Sequence, residues 1–384
     1  MPALDGIRGL AIALVLVHNL CGLDDDGNLV LRVFDTALTF GWVGVQLFFV
    51  LSGFLITGIL VDDRGTKGYF RAFFMRRILR IFPLYYLVLL GYFVILPMLV
   101  RLPAAVSESL GNQVWYWLYL SNWAAPLEHG VKGLPHFWSL AVEEQFYLAW
   151  PLVVFYADTR RLVKVCIGLA VIAFAVRVGV RIAHLPPEIA YENTFARVDA
   201  LAMGALGAVA VRDARFLGWL VPRLRMLWIG MGVATLAMVV ITRGFARTNV
   251  GVQTVGYSLL AMFFTLLVVT GAVAPAFDDP GEGDGWMQSV YRGLASAPLR
   301  WLGKYSYGIY VFHIPLRIVG MRLIGGETVL TRGTTAHQLV HVLGFATVVA
   351  ALSAMAAVLS WNVFEKRFLA LKASFASGVP SSGR

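Results

Sequence analysis

The sequence predicts an all-α, polytopic transmembrane helix bundle of about ten spans, with both termini in the cytoplasm. Three observations carry that prediction. Of 384 residues, 59% are hydrophobic and 14% charged, whereas a soluble domain carries roughly 25% charged residues. Apolar runs recur along nearly the whole chain, each close to the ~20 residues that cross a hydrocarbon core. The cations between the runs are unequally placed. With the N-terminus inside, 19 Lys and Arg residues fall on the cytoplasmic side and 6 on the other, namely Arg32, Arg101, Lys132, Arg243, Arg247 and Arg332. That is the bias of the positive-inside rule.

The runs fall at 6–23, 40–61, 80–100, 137–157, 163–183, 197–211, 226–242, 251–272, 302–323 and 338–363. The first reads as a retained helix, because the following Cys21-Gly22-Leu23-Asp24-Asp25-Asp26 lacks a small-x-small cleavage site. Cys21 and Cys166 are the two cysteines, too few for a disulfide framework or a metal cluster, and no metal is expected. The net charge of +10 is spread over the ends of the apolar runs, so membrane lipids, not nucleic acid, are the expected partners. Two longer segments interrupt the pattern. Residues 101–136 carry Trp115, Tyr116, Trp117, Tyr119 and Trp123, either an interfacial anchor or rings on which sugars stack. Asp278–Gly285 reads as a solvated loop. Residues 1–372 are expected to form one transmembrane domain, and 373–384 a disordered tail.

Ionisable groups inside spans are costly in lipid, so they are candidates for function and should face the interior. The first span holds Asp5, Arg8 and His18. Histidine titrates near neutrality, so His18 suits removal of a hydroxyl proton or transient carriage of an acyl group, unless a neighbouring helix simply satisfies it. The second span has Gly41, Gly44 and Gly53 beside Ser52, a pattern for close approach of a helix or a ligand. Next come Arg76, Arg77 and Arg80, with Arg76 and Arg80 one helical turn apart before Pro83. Their guanidinium groups suit a polyanion such as the phosphates of coenzyme A, or they anchor the topology.

In the fourth span Ser139, Glu143 and Tyr147 share a face, with Glu144 turned about 100° away. A glutamate here could orient His18 or a substrate hydroxyl, or pair with Arg177, Arg181 or Arg197. Arg197 and Asp199 open the sixth span ahead of Gly204 and Ala208, which reads as an ion pair plus helix packing. In the ninth span Ser306, Tyr310, His313 and Arg317 make one polar stripe, as if lining a cavity.

These segments together resemble the acyltransferase 3 family of membrane-bound bacterial acyltransferases. The likeness is carried by Leu4-Asp5-Gly6-Ile7-Arg8-Gly9-Leu10-Ala11 with His18, the Gly44–Phe54 run, Arg76–Pro83, Trp138-Ser139-Leu140 with Glu143, Phe146 and Tyr147, and Leu302–Tyr310 with His313. The resemblance implies a multi-pass protein of the bacterial inner (cytoplasmic) membrane. It implies transfer of an acyl group, usually acetyl from cytoplasmic acetyl-CoA, to a hydroxyl of a glycan or lipid-linked sugar of the cell envelope. By position, Arg8 and His18 match the family's essential arginine and histidine, Arg76, Arg77 and Arg80 its arginine motif, and Glu143 its glutamate. On that basis His18, Arg8 and Glu143 are expected to be catalytic. Asp5, Ser52, Ser139, Tyr310 and His313 are expected to line the cavity, with Arg8, Tyr310 or His313 facing the oxyanion.

The sequence departs from the family in two places. Nine residues separate Arg8 from His18 where the family has ten, which leaves the two side chains about 80° apart on the helix instead of nearly in line. Arg367 also stands where proline is common in the closing motif. The competing reading is a transporter of an acyl donor or glycan, which would be expected to show repeated halves with matching broken helices.

Overall fold

In a computed structural model the chain is described over residues 1–22, 29–101, 103–277, 285–326, 329–330 and 334–375. It is 86% helical, with no strand among the described residues. Ten long helices coincide with the ten apolar runs: α1 (Pro2–Leu20), α2 (Val43–Asp62), α3 (Tyr69–Leu90), α4 (Phe137–Tyr156), α5 (Thr159–Ile182), α6 (Thr194–Ala210), α7 (Leu224–Ile241), α8 (Tyr257–Val273), α9 (Ala297–Leu323) and α10 (Thr335–Ser360). Seven segments among the described residues, built on α1, α2, α3, α5, α7, α8 and α10, are long and apolar enough to cross a membrane. The other three are α4, α6 and α9, which carry Glu143 and Glu144, Arg197 and Asp199, and Lys304 and Arg317. α6 is short, at 17 residues, and the polar and charged groups of α4 and α9 dilute their apolar signal. Most of the Asp278–Gly285 loop and of the tail expected after residue 373 lies outside the described residues.

Several helix starts are written in the sequence. Asp158 caps α5 by accepting from Arg161 N at 2.7 Å, and Asn193 caps α6 by accepting from Phe195 N at 2.9 Å. An aspartate cap accepts from one of the otherwise unpaired amides at a helix start. Asp158→Ala should therefore lower the unfolding temperature, with Asp158→Asn nearly neutral. Thermal unfolding of the detergent-solubilised protein measures both. One boundary differs from expectation: α3 begins at Tyr69, so the arginine motif sits inside a helix and not ahead of one at residue 80. Tyr69, Ala72 and Phe73 are buried, and that packing extends the helix upstream of the apolar run.

The helices α1, α2, α6 and α9 form the centre, with α1 packed on α9 and α2 on α6. Glycine makes these contacts possible. A side chain at Gly53 would strike the Leu201 carbonyl, one at Gly204 the Val50 carbonyl, and one at Gly303 the Asp5 carbonyl. Gly41 and Gly44 likewise let α2 lie against the Leu14 and Ala11 carbonyls of α1. This is the small-residue packing of helices in lipid. At the periphery, only 6% of the Ala214–Ile241 window is buried, and Ile229, Val233, Leu236 and Val240 are exposed. Such a face is stable only against hydrocarbon.

The expected Arg197–Asp199 ion pair does not form. Asp199 pairs with Arg177 at 2.8 Å, both fully buried, and Ser258 bridges them. Arg197 instead donates to Gln46 Oε1 at 2.6 Å and lies over the Tyr257 ring at 4.4 Å, with Phe49, Trp138 and Tyr191 around it. Residues 197 and 199 are about 200° apart on a helix, so each faces a different neighbour. The 101–136 segment packs inward too: Tyr116 and Tyr119 are buried, and Tyr119 stacks on Tyr85 with ring centroids 4.1 Å apart.

Candidate active site

Helices α1, α2, α3, α4 and α9 enclose a cavity of about 120 Å³. Arg8, Ser52, Arg77, Arg80, Ser139, Glu143, Glu144, Tyr147, Ser306, Tyr307 and Tyr310 supply its polar wall, and Val45, Phe48, Phe49, Leu51, Leu55, Ile56 and Leu140 its apolar one. Ten of the residues singled out in the sequence thus meet: Arg8, Ser52, Arg77, Arg80, Ser139, Glu143, Glu144, Tyr147, Ser306 and Tyr310. A second cavity, of about 520 Å³, is lined by Asp5, Arg8, Arg80, Arg300, Trp301, Lys304, Trp361 and Lys372. The two cavities share Arg8 and Arg80.

Hydrogen bonds fix the polar wall. Arg8 donates to Asp5 Oδ1 at 2.6 Å, one helical turn back. The Ser52 and Tyr147 hydroxyls bond to each other and approach the Glu143 carboxyl. Ser139 and Tyr310 share a bond of 2.6 Å, while Tyr310 donates to the His136 carbonyl at 2.9 Å and Tyr307 to the Ile81 carbonyl at 2.8 Å. The Arg77 guanidinium lies 5.4 Å from the Tyr147 ring centroid. Buried carboxylates stand only with cations or donors nearby, and here Arg77 and Arg80 face Glu143 and Glu144 across the cavity. Neither glutamate pairs with Arg177, Arg181 or Arg197, since Arg177 is taken by Asp199 and Arg181 reaches Gln253.

Asp5, Arg76, His313 and His18, all expected at the site, stand apart from this cavity. Asp5 lines only the second one. Arg76 forms an ion pair with Asp63 at 2.6 Å, so the arginines that face the cavity are Arg77 and Arg80, three apart, and not Arg76 and Arg80. His313 is fully buried behind the cavity, its Nδ1 on the Tyr310 carbonyl at 2.6 Å and its ring 4.9 Å from that of His136. His18 sits ten positions beyond Arg8, about 15 Å along α1, and lies beside the Thr39 backbone with Arg247 nearby. Its backbone packs on Gly41 of the chain entering α2, and Val45, one turn further along, lines the cavity. His18 is therefore level with a point about 6 Å past the cavity's end.

Arg300, Lys304 and Lys372 were not singled out in the sequence. Arg300 and Lys304 are one turn apart at the start of α9, a signal available in advance. Lys372 comes from the opposite end of the chain, and no spacing announces it.

A family model described as "Acyltransferase domain" matches residues 1–364. The chain is 28% identical over 337 residues to the peptidoglycan O-acetyltransferase OatA of Listeria monocytogenes, covering 82% of this chain and 49% of the relative. It is 27% identical to the putative peptidoglycan O-acetyltransferase YrhL of Bacillus subtilis, covering 83% and 49%. It is 25% identical to the O-acetyltransferase OatA of Staphylococcus aureus, covering 82% and 50%. The chain thus spans about half the length of these relatives. No solved structure matches it. With the matched region running through all ten helices and the whole lining of the first cavity, the chain belongs to the acyltransferase 3 family.

Proposed function

We propose that this chain is a membrane-bound O-acyltransferase of the bacterial inner membrane. It moves an acyl group, most simply acetyl, from acyl-CoA on the cytoplasmic side to a hydroxyl of a cell-envelope glycan. One observation carries the reading: residues from five helices, drawn from separate sequence motifs, meet in one cavity that adjoins a second, cation-lined one. The names of the relatives supply the class of acceptor, a peptidoglycan-like glycan.

In this reading the donor's pantetheine arm enters past Arg8 and Arg80 and lies along the apolar wall, with the thioester towards Val45 and Phe48. The acceptor hydroxyl approaches from the opposite end, where His18 stands. Its oxygen attacks the thioester carbonyl carbon while its proton passes to His18. The Ser139 hydroxyl, turning away from Tyr310, donates to the oxyanion that forms. That intermediate collapses as the C–S bond breaks, and the proton held by His18 returns to the thiolate to give free coenzyme A. Arg8, Arg80 and Glu143 set the charge balance of the donor end.

Incubating the purified protein in liposomes with labelled acetyl-CoA and a soluble glycan tests the proposal. Label should pass covalently to the glycan. Label that only accumulates inside the vesicles would establish a transporter instead. The accompanying topology is ten spans with both ends in the cytoplasm. Reporter fusions after residue 70 and at the C-terminus should both read cytoplasmic, and an external signal at either would overturn it.

A further inference from the structure

The second cavity gathers five cations, Arg8, Arg80, Arg300, Lys304 and Lys372, around one carboxylate, Asp5, which is already held by Arg8. Among the described residues, Arg80, Arg300, Lys304 and Lys372 have no ion-pair partner. Like charges so close repel, and an arrangement of this kind persists where an anion completes it. Lys372, just beyond the last apolar segment, registers the imbalance. Burial first, then Arg80, Arg77, Arg76 and Arg8, lower its ammonium from the usual lysine value to about 8. Two indoles, Trp301 and Trp361, share the wall. Trp301 is 46% exposed, and the Lys304 ammonium lies 5.6 Å from the Trp361 ring centroid. Cations beside the exposed Trp301 indole suit a ligand that is both multiply phosphorylated and planar.

We propose that this vestibule binds a nucleotide carrying phosphates at both ends of its ribose, with Arg300, Lys304 and Lys372 on the phosphates and Trp301 on the base. It rests on the reading above, and places there the adenosine bisphosphate part of the acyl donor. Arg8 and Arg80, shared by both cavities, lie where that part continues into the arm that holds the thioester. The vestibule thereby distinguishes the intact donor from its pantetheine fragment.

The test compares two donors, acetyl-CoA and S-acetyl-phosphopantetheine, with the full-length protein in phosphatidylcholine vesicles. The wild type should favour acetyl-CoA in kcat/KM by tenfold or more, and adenosine 3′,5′-bisphosphate alone should inhibit competitively. Lys304→Ala and Arg300→Ala should each pull the donor ratio towards one, and each should weaken the inhibitor about tenfold. Lys304→Arg keeps the charge and should retain most of the preference. A wild-type ratio near one, with transfer intact, overturns this proposal and leaves the transferase reading standing. Failure of both donors overturns the transferase reading itself. Anionic lipid supplies phosphates too. If adding phosphatidylglycerol abolishes inhibition by the bisphosphate while leaving the donor ratio unchanged, the vestibule is a lipid headgroup site and the proposal fails.

Discussion

His18→Ala should reduce acyl transfer by about 10²- to 10⁴-fold, the range an acid–base group contributes, with folding and membrane abundance unchanged. The folding half of that expectation comes from its surroundings. His18 is only partly buried, its Nδ1 has no partner among the described residues and its ring meets the Thr39 backbone, so removing the ring breaks no side-chain network described there. The functional half comes from its level in the bundle, about 15 Å from Arg8 along the helix. A base at that point serves the acceptor and not the donor. The loss should accordingly fall on kcat, with the KM for acetyl-CoA nearly constant, because the donor's contacts lie at the other end. Normal turnover in His18→Ala would return this residue to a packing role. An unchanged kcat with a raised donor KM would place it on the wrong side of the reaction.

The sequence was most informative where chemistry conflicts with solvent. Charged and hydroxylic residues inside apolar runs have few places to go in a bilayer. Hence Arg8, Ser52, Ser139, Glu143 and Tyr310, chosen from four motifs, arrive at one cavity. The glycines were legible for a similar reason, since Gly53 and Gly204 face each other's helices with no room for a Cβ. What the sequence withheld was partner choice. Arg197 and Asp199 are neighbours in the chain, yet the helix turns them to different helices, and only the bundle supplies Arg177 and Gln46. The apolar lining around the polar stripe also hides depth: Tyr310 reaches the cavity whereas His313, three residues on, is sealed behind it. Lys372 was illegible because its meeting with Arg300 and Lys304 is set by the fold of the whole chain and not by any local period.

The arginine motif separates donor binding from structure most sharply, because its members have different neighbours. Arg80 lies at the junction of the two cavities, without an ion-pair partner among the described residues, while Arg76 is engaged with Asp63 at 2.6 Å. Arg80→Ala should raise the KM for acetyl-CoA by roughly 10- to 100-fold, since a contact to a charged group is worth about 1.5–3 kcal/mol. Arg80→Lys should recover only part of that, because lysine keeps the charge and loses the two-pronged fork. Arg76→Ala should behave otherwise. It frees Asp63 at the C-terminal end of α2 and should lower the amount of inserted protein, with the KM of what remains unchanged. Exchanging the pair, Arg76→Asp together with Asp63→Arg, should restore abundance if the ion pair is what matters. Both quantities are measured on the same membranes, KM by labelled transfer and abundance by immunoblot. A KM that moves equally in the Arg76 and Arg80 variants would mean that the motif acts as one phosphate grip. A KM that moves in neither would mean that Arg80 does not touch the donor.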